Sequence, residues 1–181
     1  DCAEAIRLRN QETHEAASAW IASHDAHRFV LHVLHFPELP PKQAGVGLAR
    51  KIGMDEALRR FHDLGKSGEG VIVCYDADAR CDRNYLTSVE RHFQENSCSP
   101  GCSIYFEHPL TGPLDGRIYE AIAAYELHLR FYVQALRFAG FPHAFHTIGS
   151  SMAVRADTYE RQGGMNKRKA GEDFYFLQNI S

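Results

Sequence analysis

The sequence predicts a layered α/β domain in which helices flank a mixed, mostly parallel sheet. Three observations lead there. Helical and strand-like segments alternate along 181 residues, a length that suits one domain and not two full-sized ones. One run, 70–75 (GVIVCY), is almost wholly apolar, the pattern of a central strand covered on both faces. Hydrophobic residues make up 44% and charged residues 24%, ordinary globular usage that excludes wholesale disorder and a collagen-like chain.

The elements follow in order. Residues 3–22 are rich in Ala, Glu and Arg, with Ile6, Ala17, Trp20 and Ile21 giving a partly amphipathic helix. Segment 27–36 (HRFVLHVLHF) carries the aromatic and β-branched content of a strand, ended by Pro37, Pro40 and Pro41. Leu48, Ile52, Leu58 and Phe61 keep a helical period, so 46–63 is expected as a helix closed near Gly65. The strand 70–75 comes next, then a helix over 82–96 with Asp82 as its cap. Segment 103–107 (SIYFE) reads as a strand, and 109–116 as a loop bearing Pro and Gly. Ile118, Ile122, Tyr125, Leu129, Tyr132 and Leu136 mark the clearest helix, 117–139. Segment 144–154 is strand-like but interrupted by Gly149. Asp157 and Glu160 have capping-box spacing for a short helix stopped by Gly163 and Gly164. A polar, basic loop over 165–171 leads to a last helix near Glu172.

Charge and cysteine narrow the function classes. The net charge is −3, unlike the strongly basic domain of a dedicated nucleic-acid binder. The five cysteines (Cys2, Cys74, Cys81, Cys98, Cys102) are odd in number, and one lies in a core strand, which argues against a secreted disulfide framework. No apolar run approaches the ~18 residues that span a bilayer. The cytoplasm is the expected location, attachment at the periphery of a membrane included. The chain starts at Asp1 without an initiator Met and enters a helix at once, so it reads as a piece of a longer protein.

Two segments carry the chemistry. In 70–80 (GVIVCYDADAR) an apolar strand stops at Asp76, followed by Ala77 and Asp78. Paired carboxylates at a strand's carboxyl end repel unless a cation or hydrogen bonds offset them. A hard dication takes one or two carboxylates and leaves positions for substrate phosphates. The plain alternative is a strand ending in a polar Asx turn. In 149–173 (GSSMAVRADTYERQGGMNKRKAGED) the turn at Gly149 and Ser150 lets backbone approach a ligand, and Glu172 and Asp173 open a helix. Acidic residues in a first turn are also explained by the helix dipole alone. Within that segment 166–169 (NKRK) can meet phosphates or stand as a solvated loop.

Together these segments resemble the family-2 glycosyltransferases. VIVCYDADAR looks like that family's strand and Asp-x-Asp motif. GSSMAVRADTYERQGGMNKRKAGED looks like its Gly-Ser strand, Gly-Gly helix end and Glu-Asp motif. KQAGVGLARKIGMDEAL, 42–58, looks like its glycine-bearing segment leading into Ala-Arg. The three motifs stand in the family's order and cover about 42–178. The resemblance implies a GT-A fold, a Rossmann-like sheet truncated at its amino terminus, in a single partial catalytic domain over 1–181. The family's first nucleotide-binding strand does not precede the first helix here, and Asp1 would be the stub of that segment. It also implies metal-dependent transfer of a sugar from a nucleotide-diphosphate donor to an acceptor hydroxyl, with inversion. Asp78 and Asp76 would hold Mn²⁺ or Mg²⁺. Asp76 would also meet the donor, with Arg50, Lys167 and Lys169 as further donor contacts. Asp173 would be the general base and Glu172 its assistant, with Gly149 and Ser150 lining the acceptor side. The acceptor would be a saccharide, such as a growing polysaccharide, or a lipid-linked one.

Four rivals compete. A degenerate transferase domain would act only as a binding module. His62 and Asp63 in FHDLGK, 61–66, resemble the core of HD metal phosphohydrolases, though they also fit the polar end of a helix. Asp76-x-Asp78 resembles the haloacid-dehalogenase nucleophile pair, but Ala79 follows where that family places Thr or Val. Cys98 and Cys102 near His92 and His108 offer zinc ligands without a paired C-x-x-C spacing.

Overall fold

The computed structural model describes residues 2–24, 29–40, 42 and 44–181, with side chains described from Glu4 onward. Asp1, the proposed stub, lies outside the described residues, as do His27 and Arg28 of the expected first strand. The chain divides into two units, 1–44 and 45–181.

In the first unit, helix α1 (Cys2–Ser23) matches the expectation. The expected strand does not form: residues 29–36 are irregular, with Phe29, Val30, Leu31, Leu34 and Phe36 exposed. A strand is held by its ladder to a neighbour, and composition alone supplies no partner. The ring of His35 stacks instead on that of His14 in α1, with centroids 4.5 Å apart.

The second unit comprises α2 (Val46–Asp63), β1 (Val71–Cys74), α3 (Tyr85–Glu95), β2 (Gly101–Ser103), α4 (Gly116–Phe138), β3 (Met152–Arg155), α5 (Ala156–Arg161) and α6 (Glu172–Ile180). The strands form one small sheet in the order β1-β3-β2, and both pairings are antiparallel. This corrects the expected fold class. Among the described residues helices dominate, and the sheet is a three-stranded antiparallel one rather than a mostly parallel sheet of GT-A or Rossmann type. Alternation of helices and strands was the misleading cue. The chain runs β1, α3, β2, which brings two strands into the same direction, but β3 enters reversed between them and takes both ladders. Ile72 faces Val154 across one ladder and Cys102 faces Ala153 across the other.

Helices cover both faces of this sheet. Met54 of α2, Ile72, Cys74, Met152, Val154, Tyr159 of α5, and Phe176 and Leu177 of α6 pack on one side. Val89 and Phe93 of α3 close the other against Ala153, with Val71 and Val73 partly buried there. Period-two alternation along β1 divides its four residues between the two layers.

Local departures have local causes. The strand expected over 103–107 shares only Ser103 with β2 (Gly101–Ser103), because β3 supplies partners only as far as Met152 and 104–107 stay irregular. Beyond Ile104, whose N–H donates to the Ser151 carbonyl (2.7 Å), the chain is drawn to α4. There Arg130 donates to the Phe106 carbonyl, and Glu126 accepts from the His108 N–H at 2.9 Å. Burial works against the Glu126 charge, but hydrogen bonds from His108 and the adjacent Arg130 hold its carboxyl below the usual range. Helix α3 starts at Tyr85 after an Asn84 cap, so Asp82 sits in the preceding turn instead of capping. The capping box on α5 is absent as well: Asp157 pairs with Arg161 (3.1 Å) and Glu160 with His62 (3.1 Å). Gly163 and Gly164 do stop α5, with φ of 83° and 81° that only glycine adopts freely.

Candidate functional site

Arg50 lies one helical turn before Met54, in the row of α2 that packs on the sheet. Glu172 stands in the same relation to Phe176 in α6. Each charge is the polar end of an apolar row, and the two rows converge. The Arg50 side chain is 10% exposed, and its Nη1 donates to Glu172, whose side chain is 4% exposed. Nη2 of Arg50 donates to Oδ1 of Asp76 at 3.4 Å. Asp76 continues the parity of Ile72 and Cys74 past the end of β1, which directs it toward α2, but it remains 53% exposed.

Gly149 completes the cluster. It is buried, and a Cβ built on it would fall on the Arg50 guanidinium. Its N–H donates to Oδ2 of Asp173 at 2.9 Å, while Oδ1 of Asp173 accepts from the Phe174 N–H at 2.8 Å. Each carboxylate oxygen keeps a further lone pair for a proton. Residues from α2, the end of β1, the turn before β3 and the start of α6 thus meet around one guanidinium. Ser150 continues the turn, half-buried.

The loop before α6 is organised by Asn166. Its Nδ2 donates to the Glu172 carbonyl (2.9 Å) and its Oδ1 accepts from the Arg168 N–H (3.1 Å). The loop then lies against the start of α2: a Cβ on Gly47 would fall on the Arg168 carbonyl oxygen, and Lys169 Cγ would be 3.3 Å from one on Gly45. Lys167 and Lys169 are exposed. Gly171 makes the final bend into α6 at φ 70°.

Asp78 is exposed in the turn beyond β1, which the Ala79 N–H closes onto the Asp76 carbonyl at 3.1 Å. A cleft of about 440 Å³ runs along the outer edge of β1 from Phe61 to Arg50 and Asp76. Cys74 lines it, but burial pushes its thiol up to about 11, against the pull of Arg50, so it is no thiolate nucleophile at neutral pH.

Among the described residues no three His, Cys, Asp or Glu side chains gather as a metal cage. Asp76 and Asp78 are both exposed, and as a donor set they are of the chemistry a hard dication arriving on a diphosphate would take, one or two carboxylates with its remaining positions kept for phosphate and water. The rival clusters are otherwise engaged. His62 bonds Ser67 (3.0 Å) and Glu160, whereas Asp63 takes Arg59 at 2.5 Å. His92 meets Ser99 at 3.3 Å and His108 meets Glu126, while Cys98 is exposed and Cys102 half-buried in β2.

Sequence reasoning named Arg50, Asp76, Gly149, Glu172 and Asp173 but not how they are shared. It placed Arg50 on phosphate and made Glu172 the assistant of Asp173; in the structure the two are bonded to each other, with little exposure of either side chain. It grouped Asn166 with the phosphate-meeting loop 166–169, not as the organiser of that loop, and gave Gly47 no role of its own. The i, i+4 rows Arg50/Met54 and Glu172/Phe176 were the available signal, since a charge in register with core residues is itself drawn inward. No protein-family model, curated protein or solved structure matches the chain. No helix among the described residues is long and apolar enough to cross a membrane.

Proposed function

We propose that this site transfers a sugar from a nucleotide-diphosphate donor to an acceptor hydroxyl, with inversion. One observation carries the reading: three segments far apart in sequence, 50, 76 and 172–173, meet around the Arg50 guanidinium beside the Gly149 turn. These segments hold the motifs that resemble family-2 glycosyltransferases. Two chemically different carboxylate sets result. Asp76 and Asp78 are open to solvent, as a group that meets a dication and a diphosphate must be. Asp173 is held in place by two backbone N–H groups, as a positioned base should be.

In this reading Asp173 accepts the proton of the acceptor hydroxyl as its oxygen bonds to the anomeric carbon. The bond from that carbon to the diphosphate oxygen breaks, and the nucleoside diphosphate leaves with the electron pair. A bound Mn²⁺ or Mg²⁺ would be held by Asp78 and Asp76 and would offset charge growing on the leaving diphosphate. Gly149 and Ser150 offer the acceptor a narrow backbone wall, and Lys167 and Lys169 offer the donor exposed positive charge.

The test is nucleotide binding followed by transfer. UDP or GDP should raise the melting temperature only when Mn²⁺ is present, and Asp78→Ala should remove that rise. Asp173→Asn should keep it while cutting transfer at least about a hundredfold, the usual contribution of a general base. Turnover by Asp173→Asn equal to the parent's would falsify the base assignment. Nucleotide binding without transfer to any saccharide or lipid-linked acceptor would make the domain a binding module instead.

A further inference from the structure

Arg50 bridges two carboxylates in unlike surroundings. Glu172 is 4% exposed, where its attraction to the guanidinium is little screened. Asp76 is 53% exposed and 3.4 Å away, at the long limit of a hydrogen bond and within reach of water. The guanidinium fork serves both at once, which a single ammonium cannot do. The Gly149 backbone walls its other side. One arm of the bridge is therefore durable and the other exchangeable.

We infer that Arg50 is the resident counter-cation of this acidic site, kept by buried Glu172 and shared with Asp76 until an incoming dication takes that carboxylate. The inference rests on the transferase reading for the identity of the incoming group, a metal carried on a donor diphosphate. It makes Arg50 a positioning residue. Its retained bond fixes Glu172, and with it the first turn of α6 that carries Asp173. Its released bond sets an order of events. A dication alone meets a site already half neutralised and binds weakly, whereas one chelated by diphosphate brings enough contacts to displace the guanidinium from Asp76.

Titration with Mn²⁺ alone, read as loss of the free-ion electron paramagnetic resonance signal, tests this on the full chain. Arg50→Met should bind Mn²⁺ at least about tenfold more tightly than the parent, the order expected when a unit positive charge leaves a solvated site at close range. Arg50→Met combined with Asp76→Asn should return to the parental affinity. A folded Arg50→Met that binds no more tightly overturns the proposal. Should far-ultraviolet circular dichroism show that Arg50→Met does not fold, Arg50→Lys carries the same test. Its ammonium still neutralises Glu172 but leaves Asp76 open, so a several-fold gain is expected and its absence is equally fatal. The transferase reading fails separately, if the parent ignores UDP and GDP in the presence of Mn²⁺. That result leaves the metal-alone comparison of variants intact.

Discussion

Removing one partner from a buried ion pair leaves the other charge uncompensated, at a cost of about 3–5 kcal/mol. Arg50 and Glu172 are such a pair, so the site is bound into the stability of the fold. Gly149 is the adjoining residue whose smallness the pair requires. Its φ is not in the left-handed region, so the requirement is one of space and not of backbone strain. Gly149→Ala would push a methyl group into the guanidinium and should destabilise the protein by about 1–3 kcal/mol, the usual cost of overpacking. The Gly149 N–H bond to Asp173 does not depend on the side chain. Urea denaturation measures the loss. An unchanged midpoint would mean that Arg50 does not rest on this backbone in solution.

At the scale of elements, what could be read in the sequence was whatever depends on neighbours along the chain. Helix α2 spans 46–63 and α4 spans 116–138, within a residue of expectation, because their apolar period and end signals are local. Strand β1 was legible as a strand for the same reason, but the central place expected for it is taken by β3, and β1 lies at the sheet's edge. Pairing is not local. Nothing in 152–155 announces that Met152, Ala153 and Val154 will insert between β1 and β2, yet that insertion decides the sheet. The strand expected over 27–36 failed for the complementary reason, since its composition fits a ladder but residues 29–36 have none. The site lies between these cases. Motif order flagged its carboxylates, whereas the Arg50–Glu172 bond spans 122 positions and only packing of α2 and α6 on one sheet face creates it.

At the scale of the molecule, the described core belongs entirely to one of the two units. Among the described residues every buried hydrophobic side chain, from Leu48 to Leu177, lies within 45–181, and all but Leu48 and Val133 belong to the two clusters on the faces of the three-stranded sheet. The site is built from the same residues that close this core, because Arg50 and Glu172 begin the rows that Met54 and Phe176 continue. Two consequences follow for a chain of residues 45–181 made alone. It should fold, because among the described residues covering both faces of the sheet draws on no buried side chain outside that range. It should also keep the Arg50 bridge, so the rise in melting temperature expected of the full chain with Mn²⁺ and UDP or GDP is expected of it too, and Arg50→Met should alter Mn²⁺ affinity in the same direction. A cooperative thermal transition with a near-ultraviolet circular dichroism signal is the first measurement, and nucleotide stabilisation the second. A broad transition without near-ultraviolet signal would show that residues 1–44 are needed to order the core. A cooperative transition without the nucleotide response would separate the folding of the site from its binding chemistry.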